Sequence, residues 1–514
     1  MEQVKQMAIK SFMILISCLL AFTLIPCAFP SVAQAAADPI TEGSKGSITV
    51  TNANNNDTLA AYKIVDVTYN STTNEVKTSF NPSFAGYFDN NGISIDAYKA
   101  YSEEQLREAL KSLPEWISEN SGSISAVSNA TVTDGRVVFS DLEMGGYFIQ
   151  PTSTTQVYQL MVANLAPKVK NTNSTYYLED VALAAKYNSV GISKEASVNS
   201  VSKTSIDGVM SQLTYTITID KPIYNSEVLE GNRIVQVIDT PSAGIEINKD
   251  SITVEGFTAS DTWTELPETN YVLSNAGSDN KGISLNFGGA LYNDNDAYTQ
   301  FRITYKATAN DNIVIGIGDA SNLNTAEFTY STYPYVGSTN RVNATANVKS
   351  YGIIIDKHKD GEESTKLKNA KFKLYRTAVN GESNTTTVKD ANKNDVVVVE
   401  LNTIVTTDEN GSATIDGLKE TDGFKYYLVE TQAPTGYALP PNAIEITINP
   451  AGNGNVDDNG HVTVKIPNGT NNFSLPITGE AGTILFTVIG IALMAGAVAL
   501  FLRSKKRVSG KQTH

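Results

Sequence analysis

Tyr426-Tyr-Leu-Val-Glu430-Thr-Gln-Ala-Pro434-Thr-Gly436-Tyr437 is a short alternating run that breaks at a Pro-Gly turn. A period of two marks a strand with one buried face. It sets Tyr426, Leu428 and Glu430 on the same face, so a carboxyl group is aimed where apolar side chains go. The same pattern recurs outward from this point. Leu213-Thr-Tyr-Thr-Ile-Thr-Ile219 places Leu213, Tyr215, Ile217 and Ile219 on one face and threonines on the other. Ala443-Ile-Glu-Ile-Thr-Ile448 and His461-Val-Thr-Val-Lys-Ile466 alternate likewise. Runs of this kind, bounded by Gly, Asn and Asp, read as antiparallel strands of sandwiches. The expected fold class is all-β, with tandem immunoglobulin-like sandwiches. One helix is expected from Ser102 to roughly Asn120, capped by Ser102 with Gln105 and lined by Leu106, Leu110 and Leu113.

At 514 residues the chain is too long for one core, and composition breaks near 190 and 350 suggest three units. These are 38–190, 191–349 and 350–472. Hydrophobic residues at 41 % are enough to fold a body, which rules out wholesale disorder. A net charge of −15 argues against nucleic acid as a partner. With 3 His and 2 Cys there is little from which to build a metal centre or a histidine triad, and no cofactor is expected.

Both ends read as processing segments. Lys5 and Lys10, an apolar run from Ser11 to Phe29 and the small residues Ala33-Gln34-Ala35 fit a secretory signal over 1–37; a retained membrane anchor is the competing reading. Cys18 and Cys27 both fall in this segment, so the body has no disulfides. At the other end, Leu475-Pro476-Ile477-Thr478-Gly479 lies in 473–479, followed by an uncharged stretch at 482–502 and a basic tail at 503–514. About 20 apolar residues suffice to span a bilayer, with the basic cluster left on the cytoplasmic side. An ordinary single-pass anchor with a chance pentapeptide is the plain alternative. The two ends contain seven Lys or Arg and two acids, so the body between them carries a balance of −20.

Strand parity selects candidate reactive groups. Lys357 shares a face with Ile353 and Ile355, and Asn468 continues the face of Val462, Val464 and Ile466. Together with Glu430 they form an inward-pointing amine, carboxamide and acid, which is costly unless they satisfy one another. Burial favours a neutral amine and a protonated acid, the forms needed for attack on an amide carbonyl. A buried, hydrogen-bonded Lys–Glu pair beside a satisfied Asn is the bland alternative. In the second unit Lys194 shares a face with Ile192, Asp239 with Val235 and Val237, and Asn324 with Ala326, Phe328 and Tyr330. Lys203 is a competing lysine there.

The YxLxET-x-APxGY run at 426–437 resembles the E-box of CNA-B-type domains in Gram-positive pilins, and the LPITG-span-basic tail resembles their cell-wall sorting signal. The second unit resembles the middle domain of shaft pilins. The family is therefore expected to be the sortase-assembled major pilins. The resemblance implies Lys357–Asn468 and Lys194–Asn324 isopeptide bonds, promoted by Glu430 and Asp239. It further implies sortase cleavage between Thr478 and Gly479, transfer to a lysine of the next subunit, and a secreted, peptidoglycan-anchored location on a cell-surface pilus. Asp180-Val-Ala-Leu-Ala-Ala-Lys186 partly matches the pilin motif that carries this lysine, with Ala184-Ala185 where the motif has Tyr-Pro; Lys168 is a second candidate. Ala60-Ala-Tyr-Lys63-Ile-Val-Asp66 and Gly145-Gly-Tyr-Phe148 resemble N-terminal pilin domains, without a Lys/acid/Asn trio; Lys63 and Glu143 read as surface groups.

Only about six residues separate Asn468 from Leu475, a reach of ~20 Å. That suits a neighbouring subunit better than deep peptidoglycan. The expected partners are sortase, further copies of the chain, minor pilins and peptidoglycan, with a host surface ligand left open. The expected role is a structural backbone subunit and not an enzyme. A wall-anchored adhesin or minor pilin is the main alternative, although no DxSxS motif or Trp-rich patch is present. A secreted glycosidase would use paired carboxylates, and no motif selects a pair.

Overall fold

The computed structural model describes residues 39–470, except for 154–155, 171–174, 225–232, 259, 289–297, 319–321, 334–337, 380 and 452–453. The expected leader, the LPITG motif, the apolar stretch at 482–502 and the basic tail all lie outside these residues. Among the described residues no helix is long and apolar enough to cross a membrane. Strands dominate, as the alternation requires, and the chain divides into two compact units.

The N-terminal unit, up to Tyr187, holds two main sheets. One runs Val181–Ala184, Lys45–Thr51, Arg136–Glu143; the other runs Glu75–Phe80, Thr58–Asn70, Gly145–Ser153, Met161–Leu165. Ile48, Val50, Leu59, Phe139, Tyr147 and Ile149 fill the core between them. The single helix expected from Ser102 is instead two, Glu103–Ala109 and Leu113–Glu119. Ser102 and Gln105 form the capping box, and Leu110 and Leu113 are fully buried. The second helix starts afresh with Pro114 in its first turn, where a missing N–H is tolerated. Two further short helices, Ala85–Asn90 and Ile95–Ala100, were not expected. They bury Tyr87, Phe88 and Tyr98, with Phe88 stacked on Phe80.

The second unit contains two sandwiches, each with its own core. In the first, a sheet ordered Ile192–Ala196, Gln212–Asp220, Tyr298–Ala309, Ile245–Thr258, Trp263–Glu265 faces a sheet ordered Tyr271–Ala276, Gly282–Phe287, Val235–Pro241, Leu323–Tyr333, Ser338–Asn347. Leu213, Tyr215, Ile217 and Ile219 all point into its core. In the second, Tyr351–Lys359 lies between Glu362–Lys366 and Ser412–Leu418 and also pairs in parallel with His461–Asn468. The opposing sheet runs Thr385–Lys389, Asp395–Thr406, Lys371–Thr377, Tyr426–Gln432, Ile444–Ile446.

The two sandwiches of this unit are joined by polar groups removed from water. Lys203 N donates to Gly417 O at 2.9 Å, and the amides of Lys419 and Glu420 donate to the Ser202 and Ser200 hydroxyls. Gly417 has φ +89°, and a Cβ there would lie 2.3 Å from Lys203 Cγ, so glycine is required on both counts. Arg376, buried to 1 % exposure, donates to Asp207 from the preceding sandwich and to Glu382, each at 2.5 Å. A fully buried guanidinium held by two carboxylates fixes one docking geometry, because either partner lost leaves a charge in the interior.

Candidate functional site

Two buried polar clusters stand out, one in each sandwich of the second unit. In the last sandwich, Lys357 lies on the first strand and Asn468 ends the last one. The parallel register sets Lys357 opposite Ile466, so the Asn468 side chain arrives beside the lysine amine. Lys357 Nζ donates to Asn468 Oδ1 at 2.5 Å and to Ile466 O at 3.1 Å. Glu430 comes from the opposing sheet, where the alternation of Tyr426 and Leu428 directs it inward. Its Oε1 accepts from Asn468 Nδ2 at 2.7 Å, and its Oε2 lies 3.3 Å from Lys357 Nζ. Exposures are 0 % for Lys357, 4 % for Glu430 and 2 % for Asn468.

Burial sets the protonation of this trio. It pushes the Lys357 amine down from its ordinary range, against the pull of the Glu430 charge. It pushes the Glu430 carboxyl up, against the opposing pull of Lys357. Both shifts favour exchange of one proton to give a neutral amine and a neutral acid. A neutral amine in contact with a carboxamide, with a proton donor on the carboxamide nitrogen, is an arrangement able to form an amide and release ammonia.

The middle sandwich assembles a similar group from different parts. Lys194 sits on the edge strand of one sheet, while Asp239 and Asn324 lie on neighbouring strands of the other, with Asp239 opposite Ala326 and Asn324 opposite Pro241. Lys194 donates to Asp239, and both are buried. Burial pushes the Lys194 amine down to about 8, opposed by the Asp239 charge. Asn324 is fully buried but shares no hydrogen bond with Lys194 or Asp239. Tyr305 connects them: its Oη accepts from Lys194 Nζ at 3.0 Å and from Asn324 Nδ2 at 2.7 Å, and it donates to Asp239. Alternation over Phe301, Ile303 and Tyr305 predicts an inward tyrosine, but nothing in the sequence sets this phenol apart from that of Tyr215, its partner across the strand pair. Lys203, the competing lysine, packs over Gly417 instead.

Comparison with known proteins places these clusters in context. Residues 352–468, which carry the Lys357–Glu430–Asn468 group, match the SpaA family model, a prealbumin-like fold domain, and residues 467–509 match the LPXTG cell wall anchor motif. The "Trypsin-resistant surface T6 protein" of Streptococcus pyogenes serotype M6 is 29 % identical over 307 residues, covering 56 % of this chain and 50 % of the relative. The chain thus spans half the length or less of the curated relatives it matches. Among solved structures, the T6 backbone pilin of S. pyogenes superposes with a TM-score of 0.61 at 19 % identity, covering 84 % of this chain and 99 % of that one. The full-length major pilin SpaD of Corynebacterium diphtheriae gives 0.53 at 18 % identity, with 84 % and 99 % covered. The chain has the fold of the major pilins. Its anchor motif makes it a cell-wall-anchored surface protein.

The N-terminal unit of this pilin-like chain offers a contrast. Lys63 pairs with Glu143 at 2.7 Å and Asp66 at 3.0 Å, and Asn81 Nδ2 donates to Asp66 at 3.3 Å. A lysine, acids and an asparagine therefore do meet there, but Glu143 is 69 % exposed. Partial burial lowers the Lys63 amine, and hydrogen bonds to Glu143 and Asp66 outweigh this and hold it above its ordinary range. An ammonium kept charged in this way is not a nucleophile. Further along, Ala185 is buried and Lys186 points outward, with its side chain 64 % exposed and Glu103 at 3.9 Å. Lys168 is also exposed but is held by Glu179 at 2.7 Å. Leu475, Pro476, Ile477, Thr478 and Gly479 lie outside the described residues.

Proposed function

We propose that this chain is the backbone subunit of a covalently polymerised cell-surface pilus, in which internal Lys357–Asn468 and Lys194–Asn324 amides brace each subunit. The observation that carries the reading is the contact of Lys357 Nζ with Asn468 Oδ1 in a site sealed from solvent, with Glu430 touching both reacting nitrogens. Attack by the neutral amine on the Asn468 amide carbon expels ammonia, with Glu430 taking one proton and returning one. The body contains no cysteine, so a fibre one molecule thick gains its covalent bracing from amides that no reductant opens.

Assembly then follows from the anchor. Sortase cuts between Thr478 and Gly479 and passes the Thr478 carbonyl to Lys186 of another copy, with the final subunit joined to peptidoglycan and minor pilins added along the way. The experiment is expression of the full chain on a Gram-positive surface with a pilus-assembling sortase. Wall extracts should show a ladder of multimers that survives boiling in detergent, and deletion of 475–479 should abolish it. Monomers alone from the intact chain would instead support a singly anchored adhesin.

A further inference from the structure

We propose that the Tyr305 hydroxyl is a catalytic proton relay of the middle sandwich, carrying a proton from Asp239 to the departing nitrogen of Asn324. This rests on the reading that Lys194 and Asn324 become linked, and it assigns the step that Asp239 cannot perform alone. In the last sandwich one carboxylate spans both reacting groups, with Oε1 on the Asn468 nitrogen and Oε2 near the Lys357 amine. Aspartate is one methylene shorter than glutamate. In the middle sandwich Asp239 meets the lysine but makes no hydrogen bond to Asn324, and the gap is filled by a phenol that touches all three groups.

Two further observations agree with this assignment. Tyr305 is fully buried, and its hydroxyl accepts two hydrogen bonds while donating one, so its whole hydrogen-bonding capacity is committed to Lys194, Asn324 and Asp239. Asn324 Oδ1 is buried with no hydrogen-bond partner, so the amide is held through its nitrogen, the atom that must leave. A buried carbonyl oxygen left unpaired is costly in a finished structure and expected in one that precedes a reaction at that carbon.

The step balances within the four side chains. Lys194 Nζ, as the neutral amine, forms a bond to Asn324 Cγ and gives one proton to the Asp239 carboxylate. Tyr305 donates its hydroxyl proton to the Asn324 nitrogen and takes the proton from Asp239 in return. The Cγ–Nδ2 bond then breaks, its electron pair leaves with ammonia, and Tyr305 and Asp239 end in their starting forms. Relay through a positioned hydroxyl of this kind contributes on the order of 100-fold or more to rate.

Mass mapping of linked peptides from the secreted chain, residues 38–478, tests the relay. Wild type should yield both the Lys194–Asn324 and the Lys357–Asn468 pairs; absence of the first pair in wild type defeats the underlying reading and not the relay specifically. Tyr305→Phe should keep the Lys357–Asn468 pair and slow the Lys194–Asn324 pair by roughly 100-fold or more. Tyr215→Phe removes a buried hydroxyl that has no hydrogen-bond partner and should leave both pairs at wild-type extent. Linkage in Tyr305→Phe at the wild-type rate, or equal loss in Tyr215→Phe, overturns the proposal. Adding Asp239→Glu to Tyr305→Phe lengthens the acid to the reach of Glu430 and should restore the pair. A collapsed core would not be rescued in that way, so failure of the double variant to link also counts against the relay.

Discussion

Glu430→Ala should leave the secreted chain heavier by one ammonia, net of the substitution, and should lower the melting temperature of the last sandwich by about 15 °C or more. Two effects combine. Lys357 and Asn468 lie 111 positions apart, and a cross-link closing a loop of that size restricts the unfolded chain by about 4–5 kcal/mol on the entropy relation used for disulfides. Without the acid, Lys357 also stays buried beside an unreacted carboxamide and loses the carboxylate 3.3 Å away. Stranding a buried charge costs about 3–5 kcal/mol, part of which is recovered when the amine gives up its proton. Glu430→Gln separates these contributions: it keeps the side-chain shape and the contact with Asn468 but lacks the acid. It should also remain unlinked, with a smaller loss of stability than Glu430→Ala. A wild-type mass deficit in either variant would mean that another group promotes the bond.

Lys186→Ala should abolish the ladder of multimers while leaving monomer on the wall, and Lys168→Ala should leave the ladder intact. Both lysines belong to the N-terminal unit and both are exposed, so accessibility does not separate them. Their surroundings do. The Lys168 amine is engaged by Glu179 at 2.7 Å, a hydrogen bond that holds it above its ordinary range and that transfer would have to break. Among the described residues the acid paired with Lys186 is Glu103, at 3.9 Å. Its backbone is fixed, with Lys186 O accepting from Gln159 N at 2.9 Å and the preceding Ala185 N donating to Thr51 O at 2.8 Å. An exposed amine on a pinned backbone can enter the active site of a transferring enzyme and lose its proton there. Denaturing gels of wall extracts read the result directly: a ladder that survives Lys186→Ala would exonerate that residue, and one lost in Lys168→Ala would transfer the role.

The legible part of the molecule is the part written in alternation. Ile353, Ile355 and Lys357 share a face by parity, as do Tyr426, Leu428 and Glu430, and Val462, Val464, Ile466 and Asn468, and the structure buries Lys357, Glu430 and Asn468 together. The sandwich architecture follows from the same signal repeated over many strands. Tyr305 was not legible because an inward tyrosine on an alternating strand is ordinary core; only the three-dimensional meeting of Lys194, Asp239 and Asn324 gives its hydroxyl a task. The meeting of Asn81 with Asp66, which also pairs with Lys63, was hidden for the same reason, since a contact between a residue outside the strands and a strand leaves no periodic trace. The helix break after Leu110 had a visible cue in Pro114, while Ala85–Asn90 and Ile95–Ala100 are too short for a helical period to register.

Intact mass of the secreted chain, residues 38–478, tests the covalent account most directly. Two ammonia molecules should be missing from the mass calculated from sequence, one for each sandwich of the second unit and none for the N-terminal unit, where Lys63 is held charged. A mass equal to the sequence value would mean that the amine and carboxamide pairs stay unjoined, and the covalent bracing of the fibre would have no basis.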